Sequence, residues 1–455
     1  QHPARSSMGA QLEQPCRGSA AHGIVREASS FRDPEPGEGR QPDQLTDEAL
    51  DRVRRVIHRM KLGLPSNVIT FAGTNGKGST LKFVESIYVS AGYSVGAYTS
   101  PHLVAYGERV QVNQCLAKDD ELMDAFRVVD RARESIPLTY FEFGTLAALY
   151  IFSRNCLDVI LLEVGLGGRL DAVNAIASNL SCITPVSLDH EAWLGHTCEQ
   201  IGLEKAGVLR FGSKAVLNDY NVPSSIIDQA VRLKCNVKRI GRDYSVEESS
   251  GRLVWSPNVS RWNTARIYDD LQLQGPGDDA VRHNAAGAIA IVESMRANLP
   301  VQESVVRDGL ANTKLFGRIQ VLEGDIERIF DVAHNPAAIA NLAVFIDRRR
   351  PARRNFAVFS MLKDKDLAEV VRLIGPKITS WHLTQLSGPR ATSLQELADV
   401  VSNHSNSDIM TWPEPLHAYK MAMQLASPGD RVLVFGSFYL VGAILNLVSE
   451  DIPQA

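Results

Sequence analysis

The run VITFAGTNGKGST, from Val68 to Thr80, constrains this chain more than any other stretch. A short apolar segment breaks into glycines around one lysine, and helix-forming sequence follows as far as Ser90. Gly73, Gly76 and Gly78 let the backbone come close to a ligand, and a helix that starts there aims unpaired N–H groups and its positive dipole end at an anion. Lys77 adds a full charge. The spacing departs from GxxxxGK[ST], because Phe71 stands at the first glycine position and Gly78 separates Lys77 from Ser79. The stretch therefore reads as a variant phosphate loop, with a plain glycine turn carrying a solvated lysine as the alternative.

A strand, glycine loop and helix in that order belong to an α/β fold. VITFAG, SVGAYTS, LDVILLEVG and NLSCITPVSLDH read as buried strands, and Gly78 to Ser90 and FGTLAALYIFSRN as helices between them, so a parallel sheet covered on both faces is expected. Ligands of such sheets collect at the carboxyl ends of the strands. Lys77, Ser100, Glu163, Asp189 and His190 all fall there. Past FGRIQVLEGD a second series begins with RIFDVAHNP, NFAVFSML, SWHLTQLSGPR and RVLVFGSF, which predicts a smaller α/β domain. The expected division is a tail over 1–42, a first domain over 43–316 and a second over 317–455. The tail is rich in Gly, Pro, Ser, Arg and Glu and lacks the apolar periodicity needed to offset ordering entropy. A transit peptide is the alternative there, disfavoured by the acids of DPEPGEG. From Leu50 the spacing of Leu50, Val53, Val56, Ile57 and Met60 predicts an amphipathic helix at the start of the globular part. The stretch VSNHSNSD, from Val401, reads as a surface loop.

Composition narrows the function classes. At 455 residues two domains are expected, and 44% hydrophobic with 22% charged residues is ordinary for a globular enzyme. A net charge of -4 argues against a nucleic-acid partner, whose phosphate backbone asks for excess Lys and Arg. The six cysteines form no CxxC or metal-finger spacing, which suits a reducing compartment. No apolar run suggests a membrane span, and the start lacks a secretory h-region. A cytoplasmic location is the expectation.

Other motifs carry chemistry with open alternatives. LLEVGLGGRLDAVN lacks the third glycine of GxGxxG, which rejects a dinucleotide site. Glu163, leaving a buried strand, needs a partner: either a hard cation or a base such as Arg169. In SLDHEAWLGHTCEQIGLEKAG, the histidines His190 and His196 match no zinc spacing, and each is either a site residue or a packed or solvated histidine. Lys205 is a site residue or an exposed helical lysine. In FDVAHNP, Asp331 at a strand end suits ribose hydroxyls, with a cap or turn role as the alternative.

GTNGKGST, TSPHLVAYGERV, LTYFEFGTLAAL, LLEVGLGGRLDAVN, SLDHEAWLG, EKAG, Gly317-Arg318, FDVAHNP and FGSF, in this order, resemble the folylpolyglutamate synthases and dihydrofolate synthases of the Mur ligase superfamily. The resemblance runs from about Val53 to the C-terminus and is to the bifunctional bacterial type. It implies a Mur-ligase-like P-loop ATPase domain with a mostly parallel sheet, a smaller Rossmann-like C-terminal α/β domain, and ATP and Mg2+ between them. The substrates implied are dihydropteroate or a reduced folate, L-glutamate and ATP, taken by a monomer. By motif match, Gly73, Thr74, Asn75, Gly76, Lys77, Gly78, Ser79 and Thr80 would hold ATP together with Asn284, Arg318, Asp331 and His334. Ser100 and Glu163 would bind one metal, and His190 and Lys205 a second, with the lysine carbamylated as in relatives. Lys77, His190, Lys205 and Arg318 form the implied catalytic set, and Thr139, Phe141 and Asp171 the pteroate pocket. The segment LTDEALDRVRRV covers only part of the relatives' N-terminal pattern, and Val332 stands where they carry Gly or Ala. A Mur-type ligase with a non-folate substrate and a catalytically inactive ATP-binding module are the competing readings.

Overall fold

Three sheets organise the chain in the computed structural model, which describes residues 47–249, 252–275 and 278–448. The tail expected over 1–42 lies outside the described residues. An amphipathic helix, Asp47–Met60, opens the described part, with Val53 and Val56 fully buried on the face the spacing predicts.

The first sheet has eight strands: β1 (Asn67–Ala72), β2 (Val95–Tyr98), β3 (Val110–Val112), β4 (Cys115–Leu116), β5 (Val159–Glu163), β6 (Leu180–Ile183), β7 (Lys214–Leu217) and β8 (Asn236–Arg239). Their order is β4-β3-β2-β5-β1-β6-β7-β8, parallel from β2 to β8, with β3 and β4 added antiparallel at one edge. The central strands are buried on both faces, which is why they read as continuous apolar runs rather than alternating ones. β1 leads to β2 on one side of the sheet while its neighbour β5 leads to β6 on the other, so the connections part at the carboxyl ends of these two strands, the place where open α/β sheets leave a crevice. The helix Lys77–Ser90 crosses one face and is buried almost all round against the helices Asp279–Met295 and Glu303–Ala311.

The sequence reading did not foresee an antiparallel sheet of β9 (Tyr244–Ser249), β10 (Arg252–Pro257) and β11 (Tyr268–Leu271). Its aromatic residues Tyr244, Trp255 and Tyr268 join the core of the first domain, and Trp255 Nε1 donates to the Ala286 carbonyl at 3.1 Å.

The remaining strands are β12 (Gln320–Leu322), β13 (Glu327–Asp331), β14 (Asn355–Phe359), β15 (Ser380–Thr384), β16 (Asp408–Trp412) and β17 (Arg431–Phe435), in the order β12-β13-β17-β14-β15-β16. All but β12 are parallel, as the second strand series predicts. Glu327 and Arg431 face each other in register where β13 and β17 begin, and their side chains form a buried ion pair that Arg349 joins. This clasp fixes the starts of the two strands that end at Asp331 and Phe435. VSNHSNSD is not wholly a loop: Val401 to His404 are the last turn of the helix Leu394–His404, and Val401 is fully buried. The polar residues Ser402, Asn403 and His404 misled the reading because they lie on that helix's exposed side.

Candidate active site between the two parallel sheets

The glycine loop after β1 turns where Gly76 takes a left-handed φ of 89°, a conformation costly for any residue with a Cβ, and the helix then starts at Lys77. The segment that follows β6 holds the loop. Thr74 N donates to the Pro185 carbonyl at 2.9 Å, while Thr74 Oγ1 donates to the Ser187 carbonyl and accepts from Ser187 N, both at 3.1 Å. Lys77 Nζ folds back onto the carbonyls of Gly73 and Thr74, at 3.1 and 3.3 Å. Gly78 lets the loop lie close to β5, since a Cβ there would sit 3.3 Å from Glu163 Oε2 and push that carboxylate aside.

Glu163 ends β5 as expected. Its Oε2 accepts from Ser100 N at 3.1 Å, whereas Arg169, the alternative partner, pairs with Glu204. Burial raises the Glu163 carboxyl above the usual range, opposed by Lys77, the Ser100 N–H and two arginines. Lys77 is correspondingly lowered by burial, against the pull of Glu163 and Asp189. Lys205 is buried, and its Nζ donates to the Gly73 carbonyl at 2.9 Å. Burial, with Lys77 nearby, brings its pKa down to about 7.

The second sheet supplies the facing wall. Arg318 lies half-buried over the Phe438 ring, with its guanidinium carbon 4.7 Å from the centroid, and its buried Nη1 has no hydrogen-bond partner among the described residues. Asp331 ends β13, and burial raises its carboxyl to about 7 against the opposing charge of Arg318. His334 Nδ1 donates to the Val332 carbonyl at 2.8 Å, which leaves Nε2 as the acceptor nitrogen; burial and Lys365 keep the ring neutral, with a pKa of about 4. The two walls are stitched together by an amide pair. Asn75 Nδ2 donates to Asn335 Oδ1 at 3.1 Å and Asn335 Nδ2 to Asn75 Oδ1 at 3.0 Å.

Gly73 to Ser79, Ser100, Glu163, His190, Lys205, Asn284, Arg318, Asp331 and His334 thus line one cleft, of about 1250 Å3 counting its open mouth. Thr80 does not reach it; its buried hydroxyl donates to Asn284 Oδ1 at 3.4 Å. Thr139, Phe141 and Asp171 stand behind the cleft rather than in it. Thr139 caps the helix Tyr140–Arg154, and the Asp171 carboxylate accepts from the N–H groups of Gly165, Leu166 and Val173. Phe141 packs on Tyr98, with centroids 5.8 Å apart, and occupies the space a side chain at Gly165 would need. His196 is exposed and pairs with Glu191 at 3.2 Å, outside the cleft.

The sequence reading missed Lys365, which reaches across from the second domain. Its Nζ is 2.6 Å from Asp189 Oδ1 and 3.2 Å from His190 Nε2. Although burial opposes its charge, Asp189 is held well below the usual carboxylate range by Lys365 and the two histidines. The position of Lys365 in the loop after β14, at the carboxyl end of a parallel strand, is the signal that would have found it.

The unpartnered Arg318 Nη1 and the glycine cradle suit the phosphates of a nucleotide. Among the described residues no group of three or more His, Cys, Asp or Glu is gathered as a metal cage. The Glu163 carboxylate with Ser100 beside it offers the kind of sparse protein donor set that Mg2+ takes together with phosphate and water. His190 and Lys205, as they stand, are engaged by Lys365 and Gly73 respectively.

Comparison with known proteins agrees with this architecture. Residues 317–438 match the family model described as Mur ligase, glutamate ligase domain. The chain is 37% identical over 403 residues to the dihydrofolate synthase/folylpolyglutamate synthase of Escherichia coli, covering 88% of this chain and 92% of that protein. An E. coli FolC solved in complex with DHPP and ADP is 33% identical with a TM-score of 0.83, covering 96% of this chain and 100% of the other. A bifunctional folylpolyglutamate synthase/dihydrofolate synthase with Mn, AMPPNP and L-glutamate bound is 35% identical with a TM-score of 0.80, over 90% and 96% of the two chains. Identity of this extent over nearly the whole relative, on a fold that brings the expected phosphate loop and Asp331 to one cleft, means that the chain belongs to the dihydrofolate synthase/folylpolyglutamate synthase family.

Proposed function

We propose that this chain is an ATP-dependent ligase that joins L-glutamate both to dihydropteroate and to folyl(poly)glutamate through an acyl phosphate. The single observation that carries the reading is the cleft whose one wall is the phosphate loop and whose other wall is Arg318 and Asp331. In this reading 43–316 binds the phosphates and the pteroate, 317–455 closes on the nucleotide, and the enzyme is a cytoplasmic monomer without nucleic-acid or membrane partners. Among the described residues no helix is long and apolar enough to cross a membrane.

The acceptor carboxylate takes the γ-phosphoryl group of ATP, and the amino group of glutamate then displaces phosphate from the acyl phosphate. Lys77 and Arg318 neutralise the charge that spreads over the transferred group, and Asp331 and His334 contact the nucleotide from the second domain's side. Glu163 and Ser100 would hold Mg2+, which when bound supplies further neutralisation of phosphate charge. The attacking amine must be unprotonated. His334, with Nε2 free to accept, is the candidate proton acceptor. Closure of the second domain excludes water from the acyl phosphate.

Mass spectrometry of the products made from dihydropteroate and from tetrahydrofolate, each with ATP, Mg2+ and labelled glutamate, tests the function. One glutamate added to each acceptor is expected. Glutamate added only to a UDP-muramyl peptide would point to the cell-wall branch, and substrate-independent ATP turnover or none at all would point to a module without ligase activity.

Lys205 carries its own pH prediction. With a pKa near 7, its amine is neutral and able to take up CO2 above that value, and it is a protonated, unreactive ammonium below it. A carbamate would turn the cation into an anionic oxygen donor beside the loop, suited to a second Mg2+ with His190. Carbon-13 NMR in labelled bicarbonate is expected to show a protein carbamate that grows as pH rises through about 7 and is absent in Lys205→Met. A signal that is insensitive to pH or survives the substitution would remove this role.

A further inference from the structure

Arg109 is a buried cation that the functions assigned so far leave unused. It is 9% exposed, and among the described residues no carboxylate lies within ion-pair distance of it. Its guanidinium lies 5.5 Å from the ring centroids of both Tyr106 and Tyr140, and Nε donates to His102 Nδ1 at 2.8 Å. Neither terminal nitrogen makes a hydrogen bond among the described residues. A guanidinium keeps its charge at all working pH values, and a charge left buried without a counter-ion is costly, so the arrangement is complete only when an anion arrives.

Its place in the fold says which anion. The Arg109 carbonyl accepts from Thr99 N at 2.9 Å, one residue before Ser100, whose own N–H holds Glu163 at the cleft. On its other side lies the ring of Tyr140, whose chain neighbours Thr139 and Phe141 stand behind the cleft. Arg109 therefore lies behind the cleft wall that carries Ser100 and Glu163, and is not itself one of the cleft's lining residues. Its charge is among those that oppose the burial-driven rise of Glu163, and it senses Tyr439, beside Phe438 on the facing wall. The carboxylate to be phosphorylated must come close to the phosphate loop, on the cleft side of Glu163.

The two acceptors differ there in charge. Dihydropteroate carries one carboxylate, the one that reacts, whereas a folate ends in a glutamate with two. The second carboxylate must be desolvated with the first when the cleft closes. We propose that Arg109 receives the non-reacting carboxylate of the glutamate already carried by a folate acceptor, and so distinguishes chain extension from the first glutamate addition. The two-pronged donor face of arginine matches a carboxylate, and the flanking tyrosine rings hold its plane. This rests on the ligase reading above.

The test is steady-state kinetics of wild type, Arg109→Gln and Arg109→Lys on tetrahydrofolate and on dihydropteroate, with ATP and glutamate each varied. In Arg109→Gln the KM for tetrahydrofolate is expected to rise about 10- to 100-fold, the effect of losing one hydrogen-bonded charged contact. The KM for dihydropteroate and kcat on it should stay within a factor of about 3 of wild type, and Arg109→Lys should fall between. The dihydropteroate reaction doubles as the control for folding. An equal loss on both acceptors would mean a structural role and overturn the proposal, as would an unchanged tetrahydrofolate KM. A raised KM for glutamate in both reactions would overturn it too, by placing the carboxylate of the incoming amino acid at Arg109. Wild type that uses dihydropteroate but not tetrahydrofolate also overturns it, whereas wild type that uses neither removes the ligase reading itself.

Discussion

Lys77→Ala is expected to lower kcat for glutamate ligation by about 10² to 10³, the usual loss when one preorganised charge is removed from a developing anion. The fold should survive. Burial already lowers the Lys77 pKa, so the unliganded protein holds this cation at a cost, and its bonds to the Gly73 and Thr74 carbonyls are local to the loop. ADP release with saturating dihydropteroate, measured beside the thermal melting curve, separates the two effects. Near-normal turnover would remove Lys77 from phosphate binding, and a collapsed melting curve would make it structural.

The largest stability effect is expected at the clasp below the second wall. Glu327→Ala leaves Arg431, which is 2% exposed, without its buried carboxylate, and breaking such a pair costs about 3 to 5 kcal/mol. Arg349 loses the same partner. Because Glu327 begins the strand that ends at Asp331, loosening it should also weaken nucleotide binding from a distance. Urea unfolding followed by the fluorescence of Trp381, buried in this domain, is expected to shift to clearly lower denaturant. Replacing both partners, Glu327→Leu with Arg431→Met, should recover much of the loss, since two apolar groups leave no unpaired charge. An unchanged midpoint in Glu327→Ala would show that water reaches this pair.

Much of the candidate site was legible because single residues stood where a strand gives way to a loop. Lys77, Ser100, Glu163, His190 and Asp331 were all found in this way, from local patterns of apolar run, glycine and polar residue, and the structure brings all five to one cleft. Asn284 and Arg318 were not legible locally and came only with the family resemblance, since one sits mid-helix and the other in a loop before a short edge strand. Lys365 escaped because it stands six residues past the end of β14 with no glycine pattern of its own, and its partners Asp189 and His190 lie on the other domain. Arg109 escaped for a related reason. Within GERV it reads as an ordinary polar residue beside a strand, and only burial between two tyrosine rings without a carboxylate marks it.

By itself the sequence determined the α/β class, the two strand series and the phosphate loop, because strand burial, helix periodicity and glycine turns are written in neighbouring residues. Tertiary structure alone decided that the two series face each other, with Asn75 on Asn335 and Lys365 on Asp189. It also decided which charges lost their water. Burial and pairing depend on residues far apart in the chain, and those set the low pKa of Lys205, the raised one of Asp331 and the unpaired cation at Arg109.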